Sequence, residues 1–278
     1  MIPRMPTVTY EPVGFCIYCR SKDADLTDEH ILPLGFGGNY VLPRSSCAKC
    51  QEIIGRLEVT VLRHMFGGYR MKVGMPSRHR RNRSHTITTH IRSRDGQESA
   101  ITIDAALHPG IIGFPTYPYP GIVNGEQPMD DWEWGYHIIV PSMRSYNALL
   151  QQTNGVAIRT HLDGLAFARV LAKIALGFAF GERVPLREPS RLLLRDLILG
   201  NSAAATHVVG CLLSDIPDHE EGVPHKCTLR RMSVGEREYV CADIRLFAYL
   251  PTPIYRVIIA ESPPNPSEPA SVRMREGS

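Results

Sequence analysis

Two Cys-x-x-Cys pairs lie near the start of the sequence, Cys16/Cys19 and Cys47/Cys50. Together they can supply four thiolates to one tetrahedral zinc ion, at about 2.3 Å each. Four thiolates leave no open coordination position, so the expected zinc is structural. The alternative is that the two pairs are uncoupled buried cysteines. The spacing therefore predicts a zinc site and assigns any chemistry to the residues between the pairs.

An acid and a histidine, Glu29 and His30, are adjacent in this insert. A carboxylate beside an imidazole suits metal-assisted phosphodiester hydrolysis, because the carboxylate can hold a divalent ion while the neutral imidazole takes a proton from water. Consecutive strand residues point to opposite faces, so both side chains could serve one site only around a bend or at a strand end. An isolated Glu-His pair is more often a pair of ordinary surface residues than a catalytic site. The position of this pair between the two cysteine pairs favours a catalytic site.

The order of these motifs, "CIYC … LTDEHILPLGFGG … CAKCQ" followed by a helical pattern, resembles the HNH endonuclease family. The resemblance implies a treble-clef-like ββα-metal zinc finger, with a hairpin that carries the histidine and a helix that begins at the last cysteine pair. The later segments resemble the C-terminal regions of uncharacterised bacterial HNH proteins. The expected fold class is α+β, with the finger followed by a larger mixed α+β domain.

The resemblance also implies roles for single residues. His30 matches the general base and Glu29 the acidic ligand of a catalytic divalent ion, Mg²⁺ or similar. Gln51 stands where the family usually has Asn or His as the second ligand of that ion. Asn39 is the candidate for the family's central asparagine, or else a turn residue beside a glycine. Glu58 lies about 10 Å further along the predicted helix than Gln51, which is too far to replace it directly.

A strongly basic stretch follows the finger. Residues 59–94 contain nine lysines and arginines and no acid, whereas the formal net charge of the whole chain is only +3. Such a block is either a solvated segment or a phosphate-binding surface. Its position behind a zinc finger favours contacts with nucleic acid, and double-stranded DNA is the expected partner. The candidate phosphate-binding residues are Arg78, Arg80, Arg81 and Arg83.

The hydropathy pattern divides the chain into five parts. We predict a flexible arm over residues 1–12, the finger over 13–68, a basic linker over 69–94, a C-terminal α+β domain over 95–261 and a disordered tail over 262–278. Gly67 and Gly68 are expected to end the finger's helix. Asp95-Gly96 is expected to turn a hairpin. "SRLLLRDLIL" is expected to be a helix and "THVVGCLL" a strand.

The most apolar segment, "LAFARVLAKIALGFAF", contains Arg169 and Lys173, so we expect a core helix with both charges at its edge and no membrane span. The first residues lack the apolar region of a secretory signal, and a cytoplasmic location is expected. Trp132, Trp134 and Tyr136 alternate as on a strand. They are expected to be core residues rather than a surface that stacks on bases.

These observations leave three functional hypotheses. The leading one is a metal-dependent HNH-type endonuclease that hydrolyses phosphodiester bonds in DNA, with His30 as general base. The alternative is a catalytically degenerate zinc finger that binds nucleic acid without cutting it, which the departure at Gln51 favours. The third is a protein-interaction module in which zinc only stabilises the fold. The sequence does not indicate the oligomeric state.

Overall fold

The computed structural model describes residues 6–22, 25–76, 85–93, 95–153, 155–157, 162–185, 191–212 and 216–262. The helices are α1 (Ala48–Val59), α2 (Gly67–Lys72), α3 (Met143–Gln152), α4 (Gly164–Gly181), α5 (Arg195–Leu199) and α6 (Ala205–Val208). The strands are β1 (Val8–Thr9), β2 (Leu26–His30), β3 (Tyr40–Cys47), β4 (Thr86–Arg92), β5 (Glu98–Asp104), β6 (Ile112–Thr116), β7 (Gly135–Ile139), β8 (Gly155–Ala157), β9 (Arg191–Leu192), β10 (Val209–Cys211), β11 (His225–Val234), β12 (Arg237–Leu246) and β13 (Ile254–Ser262). The predicted α+β class is confirmed.

The finger is a hairpin followed by a helix. Strands β2 and β3 pair antiparallel, with a register shift between Thr27 and Glu29, and β1 adds in parallel to the other edge of β3. Helix α1 begins directly after Cys47 and continues through a π-helical turn, Thr60–Met65. This strand-strand-helix order next to the four cysteines is the ββα arrangement that the sequence predicts.

Most of the C-terminal domain is built around one antiparallel sheet of order β10-β13-β12-β11, with β9 also pairing with β13. Strands β11 and β12 form a long hairpin that turns at Gly235, whose φ is +57°. Two smaller sheets, β5-β4-β8 and β6-β7, flank it. The predicted Asp95-Gly96 turn joins β4 to β5, and Gly96 has the positive φ of +84° that such turns require.

Helix α4 is the central element of the molecule. The Asp163 side chain caps its first turn by accepting a hydrogen bond from the Ala166 amide at 2.8 Å. By length and composition alone Gly164–Gly181 could cross a membrane, but 72% of it is buried inside this fold, as expected of a core helix. Lys173 is wholly buried, so the expectation that it lies at the edge of the helix is wrong.

Several local predictions differ from the structure. Gly67 and Gly68 begin α2 rather than ending the chain's helical stretch, because Phe66 alone breaks the helix between Met65 and Gly67. The segment predicted as one helix divides into β9 and the five-residue α5, and the predicted strand "THVVGCLL" begins as α6. Trp134 and Tyr136 are 37% and 62% exposed, so they are not the core residues that the alternation favours.

Two of the predicted domain boundaries fall inside elements, 68/69 within α2 and 261/262 within β13. Val8 and Tyr10 of the predicted arm donate backbone hydrogen bonds to Asn39 and Val41 of the finger. The predicted linker contains the end of α2 and all of β4. Residues 1–5 of the arm and 263–278 of the predicted tail lie outside the described residues, while Ser262 ends β13.

Candidate functional site: the zinc cluster and the Glu29-His30 strand

The four finger cysteines converge, as the sequence predicts. All four Sγ atoms lie within 4.8 Å of one another, and Cys19 Sγ is 3.7 Å from Cys47 Sγ. A tetrahedral zinc with sulfur ligands at about 2.3 Å requires sulfur–sulfur distances of about 3.8 Å. Cys16, Cys47 and Cys50 are buried, and burial raises the pKa of the Cys50 thiol. The donor set and its spacing therefore fit a structural zinc, which would crosslink the hairpin to the start of α1.

The end of β2 separates the side chains of the "DEH" motif. Asp28 and Thr27 are exposed, Glu29 is only 5% exposed, and His30 is half-buried. At the register shift Asp28 stands opposite three residues of β3, and its Oδ1 accepts a hydrogen bond from the amide of one of them, Arg44, at 3.2 Å. Glu29 and His30 therefore do not project into one common open site.

Glu29 faces the interior, where it meets α4. Its Oε1 lies 2.8 Å from Nζ of Lys173, and Oε1 of Glu58 lies 3.0 Å from the same nitrogen. Lys173 also donates to the carbonyl oxygens of His30 and, at 3.0 Å, Ile31. We call these two carboxylate and two carbonyl oxygens the oxygen cage. Glu58 thus reaches the same ammonium as Glu29, a contact that the sequence did not predict.

The electrostatics of the oxygen cage favour a charged lysine. Burial alone would lower the pKa of Lys173, but the carboxylates of Glu29 and Glu58 outweigh it and raise that pKa above its ordinary value. Tyr18 lies beside them, wholly buried, and burial together with the same carboxylates holds its pKa well above the usual range. The cage is therefore a buried, cation-holding cluster rather than an exposed acidic site.

The other two predicted catalytic residues occupy different places. Gln51 is exposed on the first turns of α1, and its Nε2 donates to the carbonyl of Asp28 at 3.1 Å, so it does reach β2. Asn39 donates from its side chain to the carbonyl of Pro6 in the arm. The structure therefore brings Gln51 to the motif strand, whereas Asn39 contacts the arm.

A comparison with protein-family models finds a similarity that is confined to the finger. Residues 16–66 match the HNH endonuclease family. The match begins at the first zinc cysteine and ends at Phe66, so it covers the HNH segment and not the C-terminal domain. At the level of the family it supports a nuclease-type enzyme that acts on nucleic acid and uses a divalent metal. No curated protein and no solved structure matches the chain.

The HNH family implies two metal ions, and the residues of this structure fit one of them but not the other. The four-cysteine cluster suits zinc. A catalytic divalent ion at Glu29 does not fit, because the carboxylate is buried and already paired with the ammonium of Lys173. Such an ion demands unshared oxygen ligands in near-ideal geometry. Gln51 alone, through one neutral amide oxygen, is not a sufficient ligand set.

Sequence reasoning named Lys173 and Glu58 without placing them beside Glu29, and it missed Tyr18 altogether. The available signal was a single lysine in an otherwise apolar helix, which indicates either a charge at the helix edge or a buried ion pair. The predicted phosphate-binding residues Arg78, Arg80, Arg81 and Arg83 lie outside the described residues.

Proposed function

We propose that this protein is an HNH-type endonuclease that hydrolyses phosphodiester bonds in DNA, with His30 as the general base. The observation that carries the proposal is the position of His30. It is the last residue of β2, partly exposed, in the hairpin that the zinc cluster joins to α1, and it lies inside the segment that matches the HNH family.

The chain fixes the backbone of His30 on both sides. Its Cα pairs in register with Val41 of β3, and its carbonyl oxygen accepts from Lys173. The ring Nδ1 is buried without a hydrogen-bond partner among the described residues. A base must hold a free nitrogen lone pair near the water that it deprotonates. A rigid strand end with a partly exposed imidazole supports that role.

A second function is favoured by one specific contact, the ion pair between Glu29 and Lys173. Because that pair removes the carboxylate that the family would use for a metal, the HNH segment would bind nucleic acid without cutting it. The two functions share the substrate class and differ in catalysis. They therefore differ in the outcome of one assay.

The test is nicking of supercoiled plasmid by zinc-loaded protein in Mg²⁺, Mn²⁺ or EDTA. A general base contributes roughly 10²- to 10⁴-fold to rate, so His30→Ala should reduce nicking by that factor. The matched control is His64→Ala, which removes an exposed histidine from the same finger and should leave the rate unchanged. Zinc content, measured by atomic absorption, should be equal in all three proteins.

Two results would count against the nuclease. The first is equal nicking by wild type and His30→Ala, which would exclude His30 as the base. The second is no nicking by wild type in either metal combined with salt-sensitive DNA binding, which would favour the non-cutting function.

A further inference from the structure

The oxygen cage has the chemistry of a cation site and already contains a cation. Two carboxylate oxygens and a carbonyl oxygen lie 2.8 to 3.0 Å from Nζ of Lys173, and the carbonyl of His30 completes the set. Hard divalent ions take the same ligands, carboxylate and carbonyl oxygens. The difference is that this cation is covalently part of α4.

We infer that Lys173 is the resident cation of this site and stands in place of a metal ion at Glu29. The inference rests on the proposed function only in treating Glu29 as the metal-ligand position of the HNH motif. The cage itself follows from the contacts of three side chains that are distant in the sequence.

The packing around Lys173 explains why a dissolved ion would not displace it. Its side chain is 0% exposed, and its neighbours Ala172 and Ile174 on α4 are wholly buried as well. To leave the cage, the ammonium would have to enter apolar surroundings without a counter-charge, at a high desolvation cost. The positive charge is thus held in place by the fold at any metal concentration.

A second buried group belongs to the same cluster. The hydroxyl of Tyr18 is wholly buried and lies beside Glu29 and Glu58, whose charges help burial to raise its pKa. Its position leaves a donor beside the two carboxylates. Two acids, one lysine and one tyrosine therefore share this buried cluster.

The first test compares Mn²⁺ binding by zinc-loaded wild type and Glu29→Gln, with free Mn²⁺ followed by electron paramagnetic resonance. Glu29→Gln is isosteric and leaves the Lys173–Glu58 pair intact. We expect the same binding curve for both proteins. Glu52→Gln, which removes an exposed carboxylate from the same finger, is the matched control. A Mn²⁺ site in wild type that Glu29→Gln loses and Glu52→Gln keeps would overturn the inference.

The second test removes the lysine ammonium from the oxygen cage. Lys173→Met removes the ammonium and leaves two buried carboxylates, so the melting temperature should fall and Mn²⁺ or Ca²⁺ should raise it again. The triple variant Lys173→Met, Glu29→Gln, Glu58→Gln keeps the shape without the charges and should show no response to either ion. A folded Lys173→Met protein whose melting temperature changes with neither ion would overturn the cation-site assignment. If Lys173→Met does not fold, the comparison of Mn²⁺ binding by wild type and Glu29→Gln still tests the inference.

The nicking assay separates this inference from the proposed function. If wild type cuts DNA, the inference predicts that the Mn²⁺ concentration for half-maximal nicking is the same in wild type and Glu29→Gln, whatever the rates, and a higher value in Glu29→Gln with unchanged zinc would overturn it. If wild type does not cut, the nuclease proposal fails, and the Mn²⁺ curves still test Lys173 independently.

Discussion

At the scale of single residues, His225 connects the finger to the C-terminal domain through both ring nitrogens. Its Nε2 lies 2.8 Å from the carbonyl of Phe36 in the finger, and its Nδ1 accepts from the amide of Phe247 at 3.3 Å. One nitrogen must therefore carry a proton and the other must not, which is the neutral imidazole. Burial lowers the pKa of His225 to about 4, in agreement with that state.

This depressed pKa predicts acid destabilisation. Between pH 6.5 and pH 4 the unfolded chain binds a proton at His225 that the folded protein does not, so the free energy of unfolding falls as pH falls. The contribution lost between pH 7 and pH 4.5 is about 2 kcal/mol. We expect His225→Gln to lose correspondingly less stability than wild type over this range in urea unfolding. Equal losses in both proteins would show that His225 is already charged when folded.

The cluster of the four cysteines could be predicted from the sequence because it depends on local spacing, and the role of His30 stays a prediction. The partner of Glu29 could not, since Lys173 lies far along the chain and only the packing of α4 against β2 brings them together. The adjacent positions Glu29 and His30 were predicted as one site, yet strand geometry divides them between the interior and the partly exposed face.

At the scale of elements, the finger contains two glycines that its backbone requires and a third that it does not require. Gly37 ends the 3₁₀ turn Leu34–Phe36 with a φ of +85°. At Gly38 a β-carbon would lie 2.0 Å from the carbonyl oxygen of Leu32, so the hairpin needs a close backbone approach there. Gly55, in α1, has no atom within 4 Å of the place of a β-carbon. The "GG" of the motif is therefore structural.

Alanine at these positions should act in opposite directions. Gly38→Ala forces the backbone of Leu32 to move and should destabilise the protein by about 2 kcal/mol or more. Gly55→Ala adds helix propensity without a clash and should stabilise it by about 0.5 to 1 kcal/mol. Melting temperatures of the zinc-loaded variants give the comparison. A similar shift in both would mean that β2 and the 3₁₀ turn are free to separate.

Short apolar segments were the elements that sequence patterns predicted least well. "RLLLRDLIL" has the composition of a helix, but Arg191 and Leu192 pair with β13, and Gly200 ends α5 after five residues with a φ of +84°. Periodicity cannot distinguish a buried strand from a buried helix in so short a run. The long helix α4 was predictable because its pattern extends over eighteen residues.

At the scale of the whole molecule, the finger and the C-terminal domain share one core. Most of the described buried hydrophobic residues, from Cys16 to Ala260, belong to one cluster. Phe36 packs edge-on against Phe247 with ring centroids 5.3 Å apart, and a β-carbon at Gly177 of α4 would come within 3.0 Å of Ile31. Arg195 donates to the carbonyl of Ile17, next to the first zinc cysteine. Contacts of this kind couple the zinc cluster to the sheet.

This shared core predicts that the described fold unfolds as one unit. Scanning calorimetry of the zinc-loaded protein should show a single transition, with far- and near-ultraviolet circular dichroism giving the same midpoint. Because zinc binds only the folded finger, chelating it should lower the midpoint of that one transition rather than remove a separate early one. Lys173→Met should lower the same midpoint, since the ammonium bonds β2 and α1 to α4. Two resolved transitions, of which only the first responds to chelation, would instead show that the finger is an independent folding unit and that its contacts with α4 contribute little to stability.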